Sequence, residues 1–128
     1  IFVLPNRNCL AIFARIGYAQ TSLISKTLME ILISVIIPVY KAEKYIDRFL
    51  QSVGRQTMKG VEYIFVDDSS PDRSAEIIHL FFENNPLAGS EYRIITNPRN
   101  SGVGFSRQAG LDNARGKYVI QADPDDWL

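Results

Sequence analysis

The chain has 128 residues, of which 46% are hydrophobic and 22% are charged, a composition that supports one folded core and excludes a disordered tail. Fourteen Lys and Arg residues balance fourteen Asp and Glu residues, so no net basic field favours nucleic acid, and we expect no nucleic-acid partner. One cysteine and one histidine exclude an internal disulfide framework and multi-ligand zinc sites, so any metal is expected to be held by oxygen atoms.

The first 28 residues differ in pattern from the remainder. They show neither a sustained helical period nor strand alternation, and basic residues interrupt their apolar runs, so neither a membrane span nor a signal peptide is predicted. Two interpretations stay open: an extension foreign to the domain, or an amphipathic helix over Leu23 to Leu32 that packs on it. We therefore divide the chain into an N-terminal extension, 1–28, and a domain, 29–128.

From residue 29 onward, apolar runs alternate with turn signals. Runs rich in Ile, Val and Tyr predict strands over Ser34 to Val39, Glu62 to Val66, Tyr92 to Thr96 and Lys117 to Gln121. Helices are predicted around Ile46 to Val53, from Ser70-Pro71 to Asn85-Pro86, and from Ser101 to Arg115 with Gly116 as a left-handed cap. The alternation predicts a three-layer α/β/α domain with a mainly parallel sheet. Ligands of such sheets bind beyond the carboxyl ends of the strands.

Two acidic clusters follow the second and fourth predicted strands. The first holds Asp67 and Asp68, and Asp72 a few residues on is interpreted as a turn former or helix cap. The second holds Asp123, Asp125 and Asp126, whose mutual repulsion a hard divalent cation such as Mg²⁺ or Mn²⁺ would relieve. Because Mg²⁺ uses one or two protein carboxylates and completes its shell with water and phosphate, this cluster predicts a metal that bridges to a diphosphate.

The segment between the third strand and the third helix also suits phosphate. It supplies a turn, a helix N-terminus and the cations Arg99 and Arg107. The pair Gly102 and Gly104 is weak evidence by itself, because it lacks the third glycine of a dinucleotide-binding turn.

Five sequence blocks, in order, resemble the N-terminal half of the family 2 glycosyltransferases, which have the GT-A fold, a Rossmann-like fold of nucleotide-diphospho-sugar transferases. They are Ser34 to Tyr40; Ser52-Val53 with Gln56-Thr57; Val66 to Ser70 with Asp72; Asn100 with Gly102 and Arg107; and Asp123 to Asp126. The resemblance extends from about residue 33 to residue 128. Three positions depart from the family pattern: Lys41, Gln108 and Pro124.

The resemblance implies a site for a nucleotide sugar, commonly a uridine diphosphate sugar. Its nucleotide-binding residues would be Pro38 and Tyr40 at the base, Asp68 as acceptor of the uracil imide proton, Asp67 in support, Arg107 near the diphosphate, and Asp123. Asp125 and Asp126 would bind Mg²⁺ or Mn²⁺, and which of the two contacts the ion stays open. The metal would act as a Lewis acid on the leaving diphosphate.

The resemblance further implies transfer of the sugar with inversion to a saccharide or lipid-linked acceptor, in the synthesis of cell-surface polysaccharide. We expect a cytoplasmic location, with the full-length protein peripheral to the membrane. The general base is expected beyond Leu128, so the 128-residue chain is expected to be inactive by itself and to self-associate or to rest on residues 1–28.

Three other interpretations were weighed. A nicotinamide-binding domain would carry its glycine fingerprint directly after the first strand, where this chain has Pro38-Val39-Tyr40-Lys41. A phosphotransferase with an Asp-x-Asp motif would have that motif after the first strand, not the fourth. The alternative that stays open is a truncated, catalytically inactive module that binds a nucleotide or docks a partner.

Overall fold

The sheet of the computed structural model contains all five strands found in the residues that it describes, 4–5 and 30–126. The strands are β1 (Leu4–Pro5), β2 (Ile33–Val39), β3 (Val61–Asp67), β4 (Glu91–Thr96) and β5 (Tyr118–Gln121). They lie in the order β1-β5-β2-β3-β4; β2 to β5 are parallel, and β1 pairs antiparallel with β5. The predicted mainly parallel sheet is confirmed, with strand bounds that differ from the predicted ones by one residue.

Helices cover both faces of this sheet. They are α1 (Ile46–Gly54), α2 (Ser74–Asn84) and α3 (Val103–Asn113). One apolar cluster joins Val35, Ile37 and Val39 of β2 to buried residues of α1 and α2, while Ile36 belongs to a second cluster flanked by α3. Alternate residues of β2 thus enter different cores, and the predicted three-layer arrangement is confirmed.

The structure tests two predictions about the N-terminal residues only in part. The extension, 1–28, lies outside the described residues apart from Leu4 and Pro5, whose backbone pairs with Val119 and Tyr118. The lead-in helix over Leu23 to Leu32 also lies mostly outside them, and its described end, residues 30–32, is not helical. In the described part of the chain, no helix has the length and apolar character needed to cross a bilayer.

The second helix begins later than predicted, at Ser74 instead of Ser70-Pro71. Asp72 explains the difference: its Oδ1 accepts hydrogen bonds from the Ser74 amide at 3.2 Å and the Ser74 hydroxyl at 2.6 Å, and its Oδ2 accepts one from the Glu43 amide at 3.2 Å. The carboxylate satisfies a donor that the first helical turn leaves free. The interpretation of Asp72 as a turn former or helix cap agrees with these contacts, although the N-cap position itself is held by Arg73.

The prediction of a left-handed cap at Gly116 is wrong. The helix α3 ends at Asn113, two residues before the predicted end at Arg115. Ala114 after it takes an extended conformation, and Gly116 does not have a positive φ. Glycine is needed there for space, because a Cβ would lie 2.5 Å from the Ser34 nitrogen. A close approach between two chain segments, and not a helix cap, accounts for this glycine.

A buried carboxylate holds the end of α3 against the sheet. Glu62, on β3, is completely buried and accepts hydrogen bonds from the Ser34 hydroxyl at 2.5 Å, from the Arg115 amide at 2.6 Å, and from the guanidinium groups of Arg115 and Arg93. Burial alone raises the pKa of Glu62, but these hydrogen bonds and the two cations outweigh it and lower the pKa below its ordinary value. The carboxylate therefore stays ionised where three elements meet.

We predict that Gly110→Ala destabilises the domain by about 1–3 kcal/mol, the usual cost of overpacking a core. A Cβ at Gly110 would lie 2.3 Å from Cγ2 of the fully buried Ile36. Gly104→Ala is the matched control in the same helix, because a Cβ there meets no atom within 4 Å, and we expect it to stabilise by up to about 1 kcal/mol. Urea unfolding of both variants measures the difference, and equal stability of Gly110→Ala and wild type would contradict this packing.

Candidate functional site

A cavity lies where the order of the strands reverses. The chain passes from β2 through β3 to β4 on one side and then returns to place β5 on the other side of β2. At such a switch point the connections after two neighbouring strands diverge and leave a crevice at the carboxyl edge of the sheet. A cavity of about 510 Å³ opens there. Its lining residues are Pro38, Val39, Tyr40, Tyr45, Asp68, Asn100, Gly102, Val103, Ser106, Arg107, Asp123, Pro124 and Asp125.

The end of β2 and the turn after it form an apolar and aromatic wall. Pro38 and Tyr40, both predicted at the base, line the cavity, and Tyr40 is 41% exposed. Tyr45, which the sequence did not predict, also lines it and is 40% exposed. Its signal was its position: Tyr45 directly precedes the apolar face that starts at Ile46, yet it is not part of that face.

Asp68 lies beneath the opposite wall, bonded to the loop that leads into α3. The residue is 3% exposed. Its carboxylate oxygens accept hydrogen bonds from the side-chain amide of Asn97 at 2.7 Å, from the Ser101 backbone N–H at 2.9 Å and from the Gly102 backbone N–H at 2.7 Å. Burial raises the pKa of Asp68, but these donors outweigh it and lower the pKa. The carboxylate thus fixes the loop, a role that the sequence did not predict, and its role toward a base stays a prediction.

Gly102 completes this contact through its backbone conformation. Its φ of 90° lies in the region that favours glycine, and it turns the chain so that consecutive N–H groups face Asp68. Gly104, the other member of the glycine pair, has no positive φ and no crowding. Only one glycine of the pair is therefore required by the structure.

Asp67 directly precedes Asp68 but is not among the residues that line the cavity. It is 5% exposed, and its Oδ1 accepts a hydrogen bond from the Ser70 backbone N–H at 3.1 Å. Its backbone oxygen accepts one from the Asn97 backbone N–H at 2.8 Å. Burial raises the pKa of Asp67, and the charges of Asp72 and Asp68 add to this rise. Its contacts tie the ends of β3 and β4 together, and a direct contact with a ligand stays a prediction.

Arg107 and Asp123 form an ion pair across the cavity edge. Nη2 of Arg107 lies 2.8 Å from Oδ1 and 3.1 Å from Oδ2 of Asp123, and both side chains are partly exposed. The first projects from α3 and the second follows β5. Both were predicted as site residues, and the structure brings them together on one wall.

The remaining two aspartates of the acidic turn differ in placement. Asp125 lines the cavity, whereas Asp126 does not appear among the lining residues. The Asp126 backbone N–H donates to the Asp123 carbonyl at 2.9 Å, and its Oδ2 lies 3.4 Å from the Asp123 amide. Asp126 therefore closes the turn in this structure, and Asp125 is the better placed of the two for a cation in the cavity.

The donor set of this turn fits a hard divalent ion in an open site. The cavity wall carries Asp123 and Asp125, and no group of three or more His, Cys, Asp or Glu residues within 4–5 and 30–126 forms a closed metal cage. Mg²⁺ and Mn²⁺ accept such a site when phosphate and water supply the other ligands. The residues present thus fit the predicted metal.

The fold and the cavity together define a class of protein. The mainly parallel sheet with helices on both faces is the fold of the GT-A glycosyltransferases. The family model for "Glycosyl transferase family 2" matches residues 34–128. The chain belongs to glycosyl transferase family 2.

Individual relatives agree with this assignment. The chain is 39% identical over 97 residues to glycosyltransferase GlyA of Streptococcus pneumoniae, covering 75% of this chain and 13% of that protein. It is 35% identical over 97 residues to chondroitin synthase of Pasteurella multocida, covering 76% and 10%. Among solved structures, S. aureus TarS residues 1–349 in complex with UDP match with a TM-score of 0.66 and 32% identity, covering 75% and 28%. The chain thus spans only a small part of each relative.

We predict that Asp68→Ala loosens the loop and lowers stability by about 1–3 kcal/mol, because its buried N–H donors lose their acceptor. Amide hydrogen exchange at Ser101 and Gly102 should accelerate. The pKa of Asp68 is lower in the folded protein than in the unfolded chain. Ionised Asp68 therefore stabilises the fold in full at any pH above its pKa in the unfolded chain. This stabilisation is lost as the pH falls through its pKa in the folded protein. Unchanged exchange at both amides would contradict the contact.

We predict that Lys41→Asn stabilises the domain by up to about 1 kcal/mol, as expected for a residue better suited to the left-handed region. Lys41 has a φ of 50° and is exposed. Its backbone is therefore strained, whereas asparagine, which the family pattern often has there, adopts this conformation more readily. Thermal unfolding measures the change. Lys44→Asn, also exposed but without positive φ, is the control, and equal effects of both substitutions would refute the strain at Lys41.

Proposed function

We propose that this chain is the nucleotide-sugar-binding part of an inverting glycosyltransferase that takes a uridine diphosphate sugar. The observation that carries the proposal is the cavity at the strand-order switch, which combines an aromatic wall with an acidic turn and an arginine. One side of the cavity is thus aromatic and the other side is charged. A nucleotide diphosphate needs both, since its base is flat and largely apolar and its diphosphate is charged.

The base would lie against Pro38 and Tyr40, with Tyr45 at the same wall. Asp68 lines the cavity, and it would accept the imide N–H of uracil by exchanging one of the loop N–H groups that its oxygens now bind. The similarity to TarS, whose structure contains UDP, supports a uridine nucleotide over other bases. Transfer to a lipid-linked or saccharide acceptor in the synthesis of cell-surface polysaccharide, on the cytoplasmic side, completes the proposal, and the similarity to chondroitin synthase supports a polysaccharide product.

The diphosphate would lie at the acidic turn. Asp125 would hold Mg²⁺ or Mn²⁺ there with Asp123 beside it at the ribose, and Asp126 would join Asp125 only if its turn contact with Asp123 opened. The ion supplies charge neutralisation for the departing diphosphate. The chain's own residues bind and orient the donor, and the α3 N-terminus adds backbone N–H groups at the same wall.

One observation favours the alternative of a binding module without catalysis. The carboxylates on the described cavity wall are Asp68, Asp123 and Asp125, and each already has a structural contact or a proposed ligand. Inversion also needs a base on the acceptor side of the sugar. We therefore propose that these residues bind the donor, and that the base belongs to another part of the full-length enzyme.

Calorimetry of UDP binding tests the proposal. We expect Mn²⁺ to strengthen UDP binding at least tenfold and both a chelator and Asp125→Asn to remove this gain, because the bridging cation is lost. Asp112→Asn is the matched control, since Asp112 lies exposed in the last turn of α3, away from the cavity. Equal UDP affinity with and without chelator would exclude the metal, and equal affinity for UDP and ADP would exclude a uridine pocket.

A further inference from the structure

The family resemblance places Arg107 near the diphosphate, but the structure gives this residue a different partner. Its Nη2 donates to both carboxylate oxygens of Asp123, at 2.8 and 3.1 Å. Its Nε is buried and makes no hydrogen bond with the described residues. The hydrogen bonds that the guanidinium makes thus go to the acidic turn.

The ion pair between Arg107 and Asp123 also restrains the residues that follow Asp123. The Asp123 carbonyl accepts the Asp126 N–H at 2.9 Å, and the Asp123 amide faces Oδ2 of Asp126. These contacts close a short turn with Asp125 on its cavity side. A cation beside Asp123 also offsets the repulsion among three carboxylates that lie within four residues.

We propose that Arg107 is a positioning residue, which orders the acidic turn through Asp123 and does not act as the diphosphate clamp. This inference rests on the proposed function, because it assigns a task within the same nucleotide site. A diphosphate clamp acts only on ligands that carry phosphate. A positioning residue acts also on the nucleoside, because Asp123, the residue that it holds, is proposed to lie at the ribose.

The experiment compares uridine with UDP as ligands of wild type, Arg107→Met and Arg107→Lys. Methionine keeps an unbranched apolar stem but loses the charge, whereas lysine keeps the charge and can restore one contact. In chemical-shift titrations we expect Arg107→Met to weaken uridine and UDP each by about tenfold, with Arg107→Lys intermediate. An unchanged uridine affinity with a weakened UDP affinity would overturn the proposal. Lys59→Met, an exposed position before β3, controls for loss of one positive charge.

A double-mutant cycle adds a second criterion. In an Asp123→Asn background, Arg107→Met should have little further effect on uridine affinity, because the residue through which it acts is already altered. Fully additive effects of the two substitutions would overturn the proposal.

A measurement without any ligand separates this inference from the proposed function. In Arg107→Met, the backbone order parameters of Asp123, Asp125 and Asp126 should fall from about 0.85, a rigid value, toward about 0.6. Unchanged order parameters would refute the positioning role even if UDP binds. If wild type binds neither uridine nor UDP, the proposed function fails, and the order parameters still decide the role of Arg107.

Discussion

The site depends on one buried carboxylate that bonds to backbone N–H groups. The helix α3 has little apolar surface to hold it in place, since its buried residues are Ser106 and Gly110. Asp68 compensates by accepting the Ser101 and Gly102 N–H groups and the Asn97 amide. Burying a carboxylate is costly unless charge-assisted hydrogen bonds replace its water, and here the N–H donors of the loop provide them. The loop, and with it the start of α3, is thereby bound to the end of β3.

A second buried carboxylate restrains the other end of the same helix. Glu62 lies at the amino end of β3 and accepts hydrogen bonds from Arg115, just after α3, and from Arg93 of β4. Between these two anchors, Gly110 lets the helix lie against Ile36 of β2 without a side chain in the way. Both carboxylates lie on or directly after β3, an internal strand of the sheet whose seven residues are all buried. Polar contacts at both ends, more than an apolar stripe, decide where α3 lies.

The placement of α3 has chemical consequences at the cavity. It carries Arg107 to Asp123, across the gap between the two strands where the chain order reverses. A metal site with few protein ligands requires such support, because carboxylates on a free loop would repel each other and separate. The departure at Gln108 leaves this wall intact, since its amide donates to Asp112 on the exposed side of α3.

The sequence by itself determined the strands, the parallel sheet and the carboxyl edge as the place of function, because period, turn residues and apolar runs are local properties. The family resemblance also predicted one site for Tyr40, Arg107 and Asp123, and these three residues line the same cavity. Only the tertiary structure decided that Asp68 binds the loop, that Asp126 closes a turn and that Gly116 serves close packing. The roles of Asp68 and Gly116 depend on residues 29 to 82 positions apart in the chain, as in the contacts of Asn97 with Asp68 and of Gly116 with Ser34. Local patterns carry no information about which distant donor a carboxylate will meet, because that is set by the order of the strands in the sheet.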